Sequence, residues 1–326
     1  MPKAHNPRRG SMQFWPRVKA KRIFPRVRHF PSGKESKPTG FAGYKVGMTH
    51  ILFTDGRKNS MTKGEDISMP VTIIECPPLK IVGIRFYKKK YLTIQPAGEV
   101  MAKPDKELAR KLDVSKKEGK KADAFKPEEF DDLRILVQTQ PKMTAIGKKK
   151  PEVFEMNVGG NKEEKFNFAK ENLGKEISVK DVFADGQFID IRGVTKGKGY
   201  QGPVKRFGVK VRFHKSEKTT RGPGSLGDWK HKTTWRMAHA GQMGFHSRVE
   251  YNKQIMLIGD DPEQVNVQGG FKRYGNVKNT YLLVKGSVLG PSKRMLRLEN
   301  AMRPDVKKDA SPQTIQYVSI RSKQGR

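Results

Sequence analysis

A single cysteine, Cys76 in IIECPP, is all the thiol that the 326 residues hold. A disulfide framework is excluded, and so is any cysteine-rich zinc site. Cys76 is expected to pack as a small core residue. Long apolar runs are missing as well, since none approaches the ~18 residues that a membrane span needs. The N-terminus, MPKAHNPRRGSMQFWPRVKAKR, lacks the apolar stretch of a signal peptide, which predicts a cytosolic protein. Acids are scarce: 33 Asp and Glu stand against 67 Lys and Arg, a net charge of +34. Solubility of a small domain needs a charge of only about 2–8. The excess repels itself in a lone folded chain and favours a polyanionic partner. Hydrophobic residues, at 35%, fall below the usual share. Part of the chain is therefore expected to take its order from that partner.

Catalytic and cofactor signatures are absent too. His5, His29, His50, His214, His231, His239 and His246 have neither HExxH spacing nor cysteine partners. There is no GxSxG, and no acid pair set off in an apolar setting. GPGSLG, residues 222–227, matches GxGxxG literally, but DWKHKTTW follows it and has no apolar helical face to receive a dinucleotide. GVTKGKG, residues 193–199, is too short between its glycines for a phosphate loop and lacks the terminal Lys-Ser/Thr. No enzyme, cofactor, metal or small-molecule substrate is expected.

What is present is mostly β. THILFTDGRKN carries Asp55-Gly56, a hairpin signal. MPVTIIEC, KIVGIRFY and YLTIQ follow as short β-branched and aromatic runs. Asp185-Gly186 joins SVKDVFA to QFIDIRG, and QIMLIGDD, QVNVQGG and NTYLLVKGSVLG come after residue 250. Many short strands with turns between them predict a small closed barrel from 41–103, 177–201 and 249–300. Residues 104–176 differ, with 17 basic and 15 acidic residues. PDKELARKL starts like a helix with Asp105 as its cap. In NKEEKFNFAKENLG, Asn161 caps, Glu164 completes a capping box, Phe166, Ala169 and Leu173 share a face, and Gly174 stops the helix. With LRILVQTQ and EVFEMNVGG as strands, this is an inserted α+β lobe whose charges mostly face water.

The remaining segments are basic. Residues 1–40 form an arm with 11 Lys/Arg and one acid, broken by Pro2, Pro7, Pro16, Pro25, Pro31 and Pro38. Phe14, Trp15, Phe24 and Phe30 interleave with the charges, a mix suited to single-stranded or irregular RNA. Residues 191–253 hold 15 Lys/Arg and three acids, and 202–248 read as a long loop held by something outside the chain. Residues 301–326 make a basic tail. The candidate RNA-contacting residues are Arg8, Arg9, Trp15, Arg17, Lys19, Lys21 and Arg22 in the arm and Arg192, Lys196, Lys198, Lys205 and Arg206 in the glycine-rich stretch. In the loop they are Lys210, Arg212, Arg221, Trp229, Lys230, His231, Lys232, Trp235, Arg236, Gln242, His246 and Arg248. Glycines lacking Cβ atoms let the chain pass close to a phosphate backbone, and the cations neutralise it.

One stretch carries more. Phe183, six residues, Asp190, then Gly193, Thr195, Gly197, Lys198, Gly199, Gly202 and Arg206 together resemble the signature of large-subunit ribosomal protein three, the universal "L three" family. FAGYKVGMTHIL at 41–52 is similar to the family's first strand region, and AGQMGFHSR at 240–248 to the return limb of its extension. The arm and the 104–176 insertion resemble archaeal and eukaryotic members. The resemblance implies an α+β, mainly β fold: a closed barrel of the translation-factor type with an inserted α+β lobe and long basic extensions. It further implies direct binding of 23S-type rRNA near its 3′ end, a part in starting subunit assembly, neighbouring ribosomal proteins as partners, and a loop running toward the peptidyl transferase centre with Trp229 at its tip. Thr220 stands where eukaryotic members carry a histidine, so nothing tied to that histidine carries over. The competing reading is an RNA-modifying enzyme with a barrel domain, against which the missing acid/base constellation counts.

Overall fold

The computed structural model describes residues 7–33, 35–57, 59–113, 125, 130–226, 236–304 and 312–322. They fall into two compact units, Phe24–Gly193 with Val249–Arg326, and Met1–Ile23 with Val194–Arg248. In chain order the strands begin with β1 (Gly40–Thr54), β2 (Asp66–Glu75), β3 (Leu79–Lys90), β4 (Thr93–Met101), β5 (Asp132–Gln138) and β6 (Val153–Met156). Helix α1 (Lys162–Glu171) precedes β7 (Glu176–Ile177), β8 (Phe188–Val194) and β9 (Gly199–Gln201). Helix α2 (Pro203–Phe207) precedes β10 (Gly241–Met243), β11 (Ser247–Gly259), β12 (Tyr281–Lys285), β13 (Met295–Asn300) and β14 (Thr314–Val318).

In the larger unit one antiparallel sheet runs β13-β8-β11-β12-β2-β1-β14. β13 also pairs with β1, from Gly40 opposite Glu299 to Tyr44 opposite Met295. The far half of β1 takes β14 on that edge, and β2 lies along its other edge. A second sheet runs β4-β3-β5-β6 with β7 beside β3, so it draws two strands from 41–103 and two from 104–176. Successive residues Leu282, Leu283 and Val284 are all fully buried, as are Ile73 and Ile74. Continuous apolar runs of this kind suit strands covered on both faces. They form one core with Leu79, Ile81, Ile84, Leu133 and Ile135 of the second sheet. Each such side chain contributes about 1.5–3 kcal/mol on burial.

Several expectations meet a different local structure. Asp55-Gly56 does not make a tight turn; β1 and β2 are joined by residues 55–65, organised around the buried Asp55 carboxylate. Its Oδ1 accepts from Arg57 N at 3.1 Å and Arg57 Nε at 2.8 Å, and its Oδ2 from Thr62 Oγ1 at 2.8 Å. The Arg57 guanidinium holds that carboxyl well below the usual carboxylate range. Aspartate bonding its own following backbone competes with the two-residue turn. SVKDVFA is a turn closed by Val182 N donating to Val179 O, with Val179, Val182 and Phe183 buried, and QVNVQGG is likewise no strand. PDKELARKL yields only a 3-10 turn, Leu108–Arg110, with Asp105 paired to Lys80 at 2.6 Å.

Helix α1 forms as read. Glu164 accepts from Asn161 N at 2.9 Å, and Phe166 and Ala169 face the core. The lobe's charges are less solvated than expected. Glu155 lies half-buried between Arg85 and Arg134, the latter at 3.2 Å, and Glu152 is buried against Lys111 at 3.1 Å and Lys148.

Residues 1–40 do not stay together. Phe24 and Val27 are buried in the larger unit, where Phe30 lies under Arg134 at 4.9 Å, whereas 7–23 belong to the smaller one.

Candidate nucleic-acid interface

The smaller unit is built on a short antiparallel pair, β9 and β10, with Gln242 opposite Tyr200. Pro203 starts α2, whose missing N–H costs nothing at a first helical turn, and Gly208 closes it. The sequence GPVKRFG carries both signals; the long-loop reading of 202–248 passed over them. Arg206 on α2 ties the unit together. It donates to His239 O at 2.9 Å and Gln242 O at 3.0 Å, with a longer contact to Arg17 O at 3.4 Å.

The arm lies against this framework through rings and backbone. Trp15 stacks on Phe207 with centroids 6.0 Å apart, and the Arg17 guanidinium sits 4.6 Å from the same ring. Arg8 donates to Arg236 O at 2.8 Å, and Ala20 N to Phe245 O at 2.8 Å. The buried His246 bonds Val18 O through Nδ1 at 2.8 Å. A carbonyl only accepts, so Nδ1 carries the hydrogen and Nε2 is left as an acceptor. Burial, then Arg248, Arg17 and Arg206, lower the imidazole against the pull of Val18 O, so the ring is neutral at physiological pH.

Among the described residues no acid pairs with this cluster. Among the described residues of the unit the single carboxylate is Glu217. Burial, and then Arg17, lowers both Arg206 and Arg248, while Arg17 itself is lowered by burial. Arg17 thus presses on both of the other guanidinium groups, and among the described residues none of the three has a carboxylate paired with it. Around them Arg9, Lys19, Lys21, Arg22, Lys196, Lys198, Lys205, Lys210, Arg212 and Arg221 are exposed, Arg8 is exposed beyond its one bond, and Trp15, Arg236, Gln242 and Arg248 are half-buried. Gln242 donates to Met243 O and Gly244 O at 3.2 and 2.9 Å, so its amide is taken up locally.

Arg192 belongs to the other unit, where it donates to Glu299 Oε2 at 2.7 Å. Trp229, Lys230, His231, Lys232 and Trp235 lie outside the described residues. Two aromatics not singled out in the sequence stand in solvent: Tyr200 is 77% exposed and Phe213, beside His214 at 4.3 Å, is 68% exposed. Their signal was the same as Phe14's, a ring interleaved with cations.

A family model described as Ribosomal protein L3 matches residues 1–325. The chain belongs to the ribosomal protein L3 family. Relatives named "Large ribosomal subunit protein uL3" include those of Methanobrevibacter smithii, 46% identical across the full length of both chains, and Archaeoglobus fulgidus, 46% identical over 99% of this chain and 100% of its own. That of Methanocaldococcus jannaschii is 43% identical over 99% of this chain and 98% of its own. They are named as ribosomal proteins, not as enzymes.

With the L3 family established, its signature can be followed into the structure. Most of it is architecture. Phe183 is core, and the buried Asp190 accepts from Asn252 N at 2.9 Å and Met302 N at 3.1 Å, pinning two neighbouring segments. Thr195 Oγ1 accepts from His246 N at 3.1 Å, and Arg206 is the tie described above. Lys196, Lys198 and Lys205, between or within these positions, are the groups left facing water. Among the described residues no helix is long and apolar enough to cross a membrane.

Proposed function

We propose that this L3-family chain is a structural constituent of the large ribosomal subunit that binds the subunit's 23S-type rRNA directly through the smaller unit. The observation that carries the reading is the closeness of Arg17 to Arg206, both guanidinium groups lying over the Phe207 ring at 4.6 and 4.9 Å, and its repulsion of Arg248, with no carboxylate paired to any of them among the described residues. Backbone phosphate supplies the missing counter-charge, and the exposed lysines of the glycine-rich stretch extend the contact along the RNA. Exposed Phe14, Tyr200 and Phe213 offer faces for unpaired bases.

The finer reading follows the family resemblance. The ring of pairings β1-β2-β12-β11-β8-β13-β1 supports a closed barrel of the translation-factor type. The basic loop whose limbs begin at β9 and β10 reaches toward the peptidyl transferase centre with Trp229 at its tip. Binding lies near the rRNA 3′ end and helps to start assembly beside other large-subunit proteins. The place of work is the cytoplasmic ribosome.

Sedimentation tests this directly. The native protein is expected to travel with large subunits in moderate salt. Protein running free at the top of the gradient would remove the structural role and return the RNA-modifying alternative.

A further inference from the structure

The distal half of the β3–β4 hairpin takes no part in the interface above. Lys88, Lys89 and Lys90 pair with Gln95, Ile94 and Thr93, and Tyr91 and Leu92 form a two-residue turn. The YLTIQ run therefore supplies the turn as well as a strand. Every residue from Lys88 to Ala97 is exposed, so both faces of this ribbon meet solvent. Tyr91 is 97% exposed and Leu92 98%.

Two features make this tip more than a surface loop. Tyr91 has φ 52°, the left-handed region, at a hairpin position that favours glycine or asparagine. The fold holds a strained tyrosine there and makes no use of its ring. Strain retained at a site the core does not need points to function. The charge is also one-sided. Residues 88–98 contain three lysines and no acid. Asp131, which bonds here, accepts from the backbone N of Lys89 at 2.6 Å rather than from an ammonium group. Among the described residues no carboxylate pairs with these lysines.

We propose that this hairpin is a second RNA-docking element, with Tyr91 stacked on an unpaired base and Lys88, Lys89 and Lys90 meeting the phosphates on either side. The proposal rests on the rRNA-binding reading above. A protein partner fits less well: lysine is depleted from protein interfaces, and the large apolar side chains offered are confined to Tyr91, Leu92 and Ile94, too few for the core of a stable interface. A flat ring flanked by cations is what stacking on single-stranded RNA uses.

The test uses large subunits carrying photoreactive benzoylphenylalanine in place of Tyr91. A crosslink to rRNA outside regular helices is expected; a crosslink to a ribosomal protein, or none, overturns the proposal. In parallel, Lys88, Lys89 and Lys90 are all changed to Ser in the full chain. The slope of log K for rRNA against log salt is expected to fall by about two, at roughly 0.7–0.9 per phosphate contact; an unchanged slope overturns it. Tyr91→Gly is expected to leave the melting temperature of the free protein the same or higher while hydroxyl-radical protection is lost at one discrete RNA segment. A lower melting temperature would mean that the ring packs within the fold. Failure of the underlying reading looks different, since wild-type protein would then bind rRNA with no steep salt dependence.

Discussion

Arg206 shows how one side chain can be both framework and charge. Its planar fork reaches Gln242 O, on the strand that faces β9, and His239 O, just before that strand. Lysine keeps the charge but has no fork to span two carbonyls. Arg206→Lys is therefore expected to loosen β10 without unfolding the larger unit. A hydrogen bond to a charged group contributes roughly 1.5–3 kcal/mol, and partial exposure puts the net loss near 2 kcal/mol, about thirtyfold in local opening. Amide exchange at Gly241–Met243 reads this out; unchanged exchange there would show that the carbonyl bonds do not hold the limb. Charge alone is thus a poor guide to what each cation holds within the chain. Arg192 and Arg206 both sit in the basic signature, yet one is given to Glu299 and the other to backbone carbonyls.

Strands were legible where apolar runs were continuous, and turns were not. Gly193 belongs to β8, and a Cβ there would press on Leu289 and come within 2.7 Å of Leu296 Cδ2. The need is for space in a packed core, not for an unusual backbone. Gly193→Ala is expected to destabilise by about 1–3 kcal/mol through overpacking, measured as a lower denaturant midpoint with an unchanged slope. Gly244 is the contrasting case, with φ +71° and a Cβ that would collide with the Lys196 carbonyl. The sequence pattern located β2, β3, β5, β12 and α1, because burial on both faces and a capping box leave marks within a few residues. It misread Asp55-Gly56, where the aspartate carboxylate bonds following N–H groups instead of closing a hairpin; at Asp185-Gly186 the turn forms, Gln187 N donating to Ala184 O at 3.3 Å, but no strand runs into it, and Asp185 Oδ1 accepts from the distant Ile258 N at 2.7 Å. Such partners lie too far along the chain for a local window to find. The arm's division at Ile23 and Phe24 was hidden for the same reason, since both halves share one composition.

At the scale of the molecule the net charge of +34 sets the strength of association. With about 10 phosphates neutralised, log K for rRNA is expected to fall with log salt at roughly 0.7–0.9 per contact. Binding measured across a salt series checks this, and a slope worth one or two contacts would assign the charge another role. Such a polycation also has a history, fixed by β1. Gly40 pairs with Glu299 and Leu52 with Tyr317, so the strand near the start of the chain is completed by strands near its end. At roughly 5–20 residues per second, β13 and β14, which complete one edge of β1, are synthesised about ten to fifty seconds after it, whereas β2 on the other edge follows directly. For the last few seconds of that interval, after residue 253 and before residue 295, the basic stretch of 191–253 has already been made, while the sheet it is joined to still lacks its closing strands. The newborn chain thus offers its most adhesive surface before its scaffold is finished, and the order of synthesis runs opposite to the order in which a binding protein would best be assembled.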